Sequence, residues 1–329
     1  GSGKATWAAG LQAGALDFSK KHNMASRVLL LLAMLVHVGE PLKVLVTGAA
    51  GRTGSLVLQQ LVKDKDIEPK ALVRTPKSGK KLLKKMNKKM LDKNDPKLEE
   101  SALVTADVTS ATSLEEACDG CEVMVVATSA VPKPQILSLL SFLIKKTLRF
   151  KNPGMMKFSW STGPPEDVDW IGQKKQFDAA KKAGIKHIVL VSSMGGTQED
   201  NMLNNIGEGK SGGPGNILAW KRKAEMYLMA SGLTYTIVHP GGLKDEPGFK
   251  RRLKIGVDDE ILSSKQRAIP REDVARVCVH AIKSPKYHNR SFDLSSFDEG
   301  DGSPTDDLDM LIESLEGKNC DYGKTPALI

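Results

Sequence analysis

The chain has 329 residues, 40% hydrophobic and 26% charged, which is ordinary for a globular protein with a sizeable core. Four cysteines in a chain this long do not make a disulfide framework. The formal charge of +9 does not read as a nucleic-acid footprint: much of the excess gathers in KSGKKLLKKMNKKMLDK (77–93), a solvated basic insertion, and aromatics for base stacking are only 5%.

Residues 1–40 read as an N-terminal extension. The run VLLLLAMLVHV (28–38) is too short to span a bilayer, and no small-residue cleavage site follows it. Asp17 is the one acid among the first 39 residues, set against Lys4, Lys20, Lys21 and Arg27, a balance that fits an organelle transit-peptide remnant. From residue 42 the elements alternate. A strand at 42–48 precedes a helix with Leu56, Leu61 and Val62 at helical spacing, and strands follow at 70–74 and 102–108. Next come a helix at 112–119, a buried run at 122–130, a helix at 169–183 and a strand at 187–193. A helix at 217–231 and a strand at 234–240 complete the series, with a further helix (271–284) and strand (290–296) beyond.

Continuous Val/Ile/Leu strands separated by helices predict an α/β protein with a doubly wound parallel sheet, spanning 41–300, and a small C-terminal substrate-side subdomain. Three insertions interrupt it, at 77–98, 132–168 and 204–216, and 301–329 is a tail. Cys118 and Cys121 form a lone CxxC without a second pair or a histidine cluster. It reads as a helix end, a turn at Gly120 and a strand start rather than a zinc site, and no metal is expected.

TGAAGRTG (47–54) follows a strand and opens a helix, the context a dinucleotide-binding loop requires. Gly48 allows a tight turn, Gly51 lets backbone approach a pyrophosphate, and Gly54 lets the helix pack close to the sheet; Ala50, Arg52 and Thr53 complete the cradle. At the end of the second strand, where NAD sites place an acid for the ribose hydroxyls, stands Arg74. A guanidinium there pairs with a 2′-phosphate, and Arg52 and Lys77 add positive charge, so NADP(H) is the expected cofactor.

Taken in order, VLVTGAAGRTG, ALVR, ADVT, ATSAVPK, VDWIGQ, AAKKAGIKHIVLVSSMGGT, GNILAWKRKAE, YTIVHPGGL and IPREDVA resemble the atypical short-chain dehydrogenase/reductases with an NmrA-like, NAD(P)-binding Rossmann domain, over roughly 42–300. The similarity is strongest to a plant and algal group related to chloroplast import-translocon and photosystem-assembly proteins, which implies a chloroplast location, with cytoplasm or mitochondrion as alternatives. The resemblance further implies that Asp107 and Val108 flank the adenine, and that Thr128, Ser129 and Ala130 line the ribose and pyrophosphate. Lys221 would contact the nicotinamide ribose, and Pro240 and Gly241 would border the nicotinamide.

In catalytic members a tyrosine four residues before that lysine relays the proton. Here the position is Ile217, which cannot. The catalytic serine aligns best with Met194, and a one-residue shift restores Ser193; Lys221 and Ser193 are the candidate catalytic residues. Substitute donors are Lys174, Lys175 and His239, with a solvated face or a strand end as their plainer readings, whereas Tyr227 and Tyr235 read as core. Within 135–149, Ile136, Leu139, Leu140 and Leu143 at helical spacing precede Lys145, Lys146 and Arg149. This is a substrate lid, a docking helix for a membrane surface or protein complex, or a core-covering helix. Two functions compete: a reductase of a small carbonyl or enone compound, its substrate unnamed, and a non-catalytic NADP(H)-sensing scaffold or subunit of a photosynthetic or respiratory complex.

Overall fold

Strand β1 (Leu42–Thr47) explains why its sequence lacks the alternation of a half-exposed strand: Val44 and Val46 enter one apolar layer and Leu45 the other. The protein is described here by a computed structural model covering residues 40–89, 96–108, 110–151 and 156–326. The N-terminal extension up to residue 39, including the apolar run 28–38, lies outside the described residues.

Strands β2 (Ile67–Val73), β3 (Leu103–Thr105), β4 (Val123–Val126), β7 (His187–Val191), β8 (Thr234–Pro240) and β12 (Arg290–Ser296) join β1 in the order β3-β2-β1-β4-β7-β8-β12, every neighbour parallel. The chain order reverses between β1 and β4, the crevice where open α/β sheets take ligands. Beyond β12 the sheet continues through β11 (Ala268–Pro270) and β9 (Gly242–Lys244). β10 (Leu253–Gly256) runs antiparallel beside β12, which builds the smaller C-terminal part.

On one face lie α1 (Gly54–Val62), α2 (Pro76–Lys89) and α7 (Arg271–Lys283); on the other lie α3 (Ala111–Cys118), α5 (Gln173–Lys182) and α6 (Ile217–Ala230). The basic stretch departs from a purely solvated insertion. Its first part is α2, which starts at Pro76 behind reciprocal Thr75–Ser78 hydrogen bonds and buries Leu82 and Met86 while Lys80, Lys81, Lys84, Lys85 and Lys88 stay exposed. The helix expected at 169–183 begins earlier, as a π-helical stretch, Glu166–Gly172, that runs into α5. Residues of the tail, from α8 (Leu308–Glu313) to Cys320, pack into the same apolar layer as β12.

The CxxC matches its plain reading: Cys118 ends α3, Gly120 takes φ +66°, and Cys121 leads into β4. Burial pushes the Cys118 thiol up to about 12 and raises Cys121, so both are inert hydrophobes at neutral pH.

After β4, a two-stranded antiparallel ribbon, β5 (Pro132–Pro134) with β6 (Phe158–Trp160), carries α4 (Ile136–Thr147) between its strands. None of the residues of α4 is buried, so it is not a core-covering helix. The glycine-rich insertion 204–216 folds back on itself: Asn216 donates its N–H to the Asn204 carbonyl, and the Asn204 side chain accepts from Leu218 N–H at the start of α6. Trp160 donates its indole N–H to the Glu208 carbonyl at 2.8 Å, and a Cβ at Gly207 or Gly215 would stand 2.7–2.8 Å from its ring. Those two glycines make room for the tryptophan, which fixes the ribbon to the loop.

Candidate functional site

The glycine loop is built by close approach. Gly48 has φ +66°, and a Cβ there would lie 2.5 Å from the Ala127 carbonyl oxygen, so only glycine lets the loop lie against the end of β4. A Cβ on Gly54 would sit 2.3 Å from the Gly48 oxygen. Ala50, Gly51 and Arg52 are exposed and Thr53 half-buried. No side chain caps α1 and no acid occupies its first turn, which leaves the positive end of the helix to an anion. These features fit the pyrophosphate of a dinucleotide. Arg52 pairs with Asp245 at 3.1 Å, and Asp245 is shared with Arg271 at 2.7 Å, so part of its charge is already answered.

Arg74 follows β2 and is exposed. Ala106 donates its N–H to the Val73 carbonyl, which brings Asp107 and half-buried Val108 beside it at the end of β3. Along the same edge, Gln173 donates to the Thr128 carbonyl (3.1 Å) and Gln176 to the Thr128 hydroxyl (3.2 Å). The buried side-chain oxygens of Gln173 and Gln176 and the Thr47 hydroxyl near this edge have no hydrogen-bond partner.

Sequence reasoning placed Asp169 at a helix start and gave it no role. It is fully buried in the π-helical stretch; one carboxylate oxygen accepts from Lys221 Nζ at 2.7 Å and the other from Ala130 N–H at 2.9 Å. One carboxylate therefore ties the lysine of α6 to the segment leaving β4. The signal was an acid within the apolar run VDWIG, but its partner stands 52 residues along the chain.

At the end of β7, Ser192 turns inward, Ser193 is half-buried and Met194 is buried, with its N–H on the Pro240 carbonyl at 3.2 Å. The Ser193 hydroxyl donates to the Met194 carbonyl at 3.0 Å. Gly241 is forced by the same contact, since a Cβ there would meet the Arg267 carbonyl oxygen at 2.2 Å and Met194 Cε at 2.7 Å. Ile217 is the first residue of α6 and half-buried.

The substitute donors fare differently. Lys174 forms an i,i+4 pair with Asp178 (2.7 Å) over the Tyr227 ring, a solvated face. Tyr227 and Tyr235 are half-buried and pack against the apolar layer, and Tyr227 donates to Asp178. His239 is 3% exposed, with Nε2 3.0 Å from Glu225 and Nδ1 3.4 Å from Asp293 and 3.5 Å from Cys320 Sγ. It is enclosed by a second buried cluster in which Glu225 also accepts from Ser192, Arg222 (3.3 Å) and Tyr322 (3.1 Å). Burial opposes the charge on both partners, and their mutual attraction overrides it: Glu225 is lowered to about 2, and His239 is held well above the ordinary histidine value. Asp293 continues the chain of contacts through Asp259 N–H (2.6 Å) to the Gly195 and Thr197 N–H groups, so the cluster supports the loop after Ser193 from behind.

An NAD(P)H-binding domain family matches residues 48–285. The chain is 41% identical over 281 residues to an uncharacterized chloroplastic protein of Arabidopsis thaliana, covering 85% of this chain and 77% of that one. It is 39% identical over 284 residues to the sanguinarine reductase of Eschscholzia californica, covering 83% and 96%. A Bacillus halodurans structure assigned as an NAD-dependent epimerase/dehydratase superposes with a TM-score of 0.56 at 25% identity, over 83% of this chain and all of that one. With the glycine loop, the parallel sheet and these relatives in agreement, the chain belongs to the NAD(P)H-binding Rossmann family of atypical short-chain dehydrogenase/reductases, as a reductase-like member.

Proposed function

We propose that this protein is an NADPH-dependent reductase of a small, conjugated carbonyl compound, an enone or quinone. The observation that carries the reading is the buried Asp169–Lys221 pair: a lysine held at the sheet edge beside Ala130 is the arrangement needed to grip a cofactor ribose. Similarity over 96% of a named reductase supports catalysis over a non-catalytic scaffold. Gly48, Gly51, Gly54 and the α1 N-terminus would hold the pyrophosphate, with Ala50, Arg52 and Thr53 around it. Arg74 would pair with the 2′-phosphate, and Asp107 and Val108 would flank the adenine. Thr128, Ser129 and Ala130 would line the ribose and pyrophosphate, and Pro240 and Gly241 would border the nicotinamide.

The bound cofactor supplies a hydride. Ser193 would hold the substrate oxygen through its hydroxyl. Ile217 has no proton to give, so general acid help worth about 10²–10⁴-fold is missing from that position. Substrates whose reduced anion is delocalised need that help least, which favours enones and quinones over simple aldehydes. The chloroplastic relative supports a chloroplast location, tested by imaging the tagged full-length gene product. The exposed α4 within 135–149 acts as a docking element.

The test is NADPH oxidation over a panel of aldehydes, enones and quinones. Conjugated substrates should turn over with the wild type and lose that turnover in Lys221→Ala. Ile217→Tyr should raise the rate on simple aldehydes. A wild type that binds NADPH and reduces nothing on the panel sinks the reductase reading.

A further inference from the structure

We propose that α4 lies in the headgroup layer of an anionic membrane, attaching the protein to a lipid surface; this rests on the docking reading of 135–149. Seven of the twelve large apolar side chains exposed among the described residues fall between Ile136 and Phe150, and Leu137 is 83% exposed. Such concentration in one short segment marks an interaction surface.

The helical register divides the segment into sides. Ile136, Leu137, Leu140, Leu143 and Ile144 fall within an arc of about 120° at 100° per residue. Lys145 lies beyond one end of that arc, and Lys146 lies beyond the other, between the half-buried Leu139 and Phe142. A helix of 12 residues is about 18 Å long, too short to cross a bilayer but long enough to lie in its plane. Apolar residues outward with basic residues flanking is the pattern of an interfacial helix.

Charge selects the occupant. From Val123 to Pro165 the sequence contains no Asp or Glu, yet it holds Lys133, Lys145, Lys146, Arg149, Lys151 and Lys157. A second copy docked face to face would set these cations against their own kind, whereas anionic headgroups answer them. The helix is presented at the tip of the β5–β6 ribbon, which Trp160 pins to the 204–216 loop. The ribbon starts two residues after Ala130, so membrane attachment would carry the candidate site's edge of the sheet to the lipid surface, where apolar conjugated substrates concentrate.

The experiment is co-sedimentation of the full chain with phosphatidylcholine vesicles, with and without phosphatidylglycerol, at low and high salt. The expected result is binding at least about tenfold tighter to the anionic vesicles, weakened by salt. Leu137→Asp/Leu140→Asp should release the protein from both vesicle types, and Lys145→Glu/Lys146→Glu should remove the anionic preference. NADPH affinity is measured in every variant as the control for folding. Equal partition of the wild type between the two vesicle types, or no binding to either, overturns the lipid assignment. The docking reading is then decided by the concentration dependence of sedimentation without lipid. Self-association abolished by Leu137→Asp/Leu140→Asp would keep a docking face and make its occupant a second copy; no effect of that variant would end the docking reading as well.

Discussion

Lys221 and Glu225 stand one turn apart on α6, both buried and both in charged clusters, yet their surroundings are opposite in kind. Asp169 pairs with Lys221 at the sheet edge proposed for the cofactor and also accepts from the Ala130 N–H. Glu225 is sealed: Ser192, Arg222, His239 and Tyr322 converge on its two oxygens. Tyr322 and Cys320, which contacts His239, come from the C-terminal segment, and Arg222 also donates to the Asp321 carbonyl and the Thr325 hydroxyl. Lys221 stands at the edge proposed for the cofactor, whereas Glu225 clamps the C-terminal segment onto the sheet. Burial of charge alone does not separate a functional residue from a structural one.

The largest effect is expected at Glu225. Glu225→Ala leaves buried Arg222 without its carboxylate and protonated His239 with Asp293 alone, and should cost about 3–5 kcal/mol of stability, read by chemical denaturation. The pH dependence follows from the same pair. His239 has a folded pKa above its ordinary 6.5, so its contribution is complete below 6.5 and is lost as pH rises through the higher folded value. Glu225 is lowered from 4.5 to about 2, so its contribution is complete above 4.5 and is lost as pH falls towards 2. Thermal stability should therefore have a plateau between these limits and decline on the alkaline side. Glu225→Gln should flatten that decline; an unchanged alkaline slope in the variant would show that His239 is not the group responsible.

Lys221 is the next test. Lys221→Ala should weaken NADPH binding by about 1.5–3 kcal/mol, the scale of a hydrogen bond from a charged group, and should also lower stability because Asp169 stays buried and unpaired. Lys221→Ala/Asp169→Asn should recover most of the stability and none of the affinity. If affinity returns with stability, the lysine only supports the fold, and the contrast with Glu225 disappears.

Much of this architecture was legible in the sequence because a parallel strand buried on both faces leaves an unmistakable mark, as at 42–48 and 187–193. The glycine loop was legible because close backbone approach demands glycine at Gly48 and Gly54 whatever surrounds them. Other features left no local trace. In α2, Leu82 and Met86 keep helical spacing, but the surrounding lysines dominate the composition and hide it. The Glu225 cluster draws on β8, α6, β12 and the chain end, segments that only the folded sheet brings together. His239 looked like an available proton donor at a strand end, and it is the burial of its neighbours, absent from any linear pattern, that encloses it.

Arg74 offers a smaller effect on the ligand edge. As an exposed side chain at the end of β2 it carries little of the fold, so Arg74→Asp should leave the denaturation midpoint nearly unchanged. It should shift the preference between NADPH and NADH by about 1–3 kcal/mol toward NADH, since it exchanges a phosphate partner for a ribose-hydroxyl acceptor. Titration of both cofactors into both proteins measures this directly. Equal affinity of the wild type for the two would remove Arg74 from the site.

The smallest effect is expected at Lys174, and it separates a solvated charge from buried Lys221 and Glu225 on α6. Its ammonium meets Asp178 one turn along α5 and lies over Tyr227, with 39% of the side chain exposed. A pair of this kind on a helix surface is worth about 0.3–0.5 kcal/mol, and water replaces the lost contact when it is cut. Lys174→Ala should therefore leave stability within that margin and leave NADPH affinity and turnover of conjugated carbonyls as they are in the wild type. The three quantities can be compared in one preparation of each protein. A loss of turnover with binding intact would mean that Lys174 reaches the substrate during the reaction, and the proton missing at Ile217 would then have its source on α5.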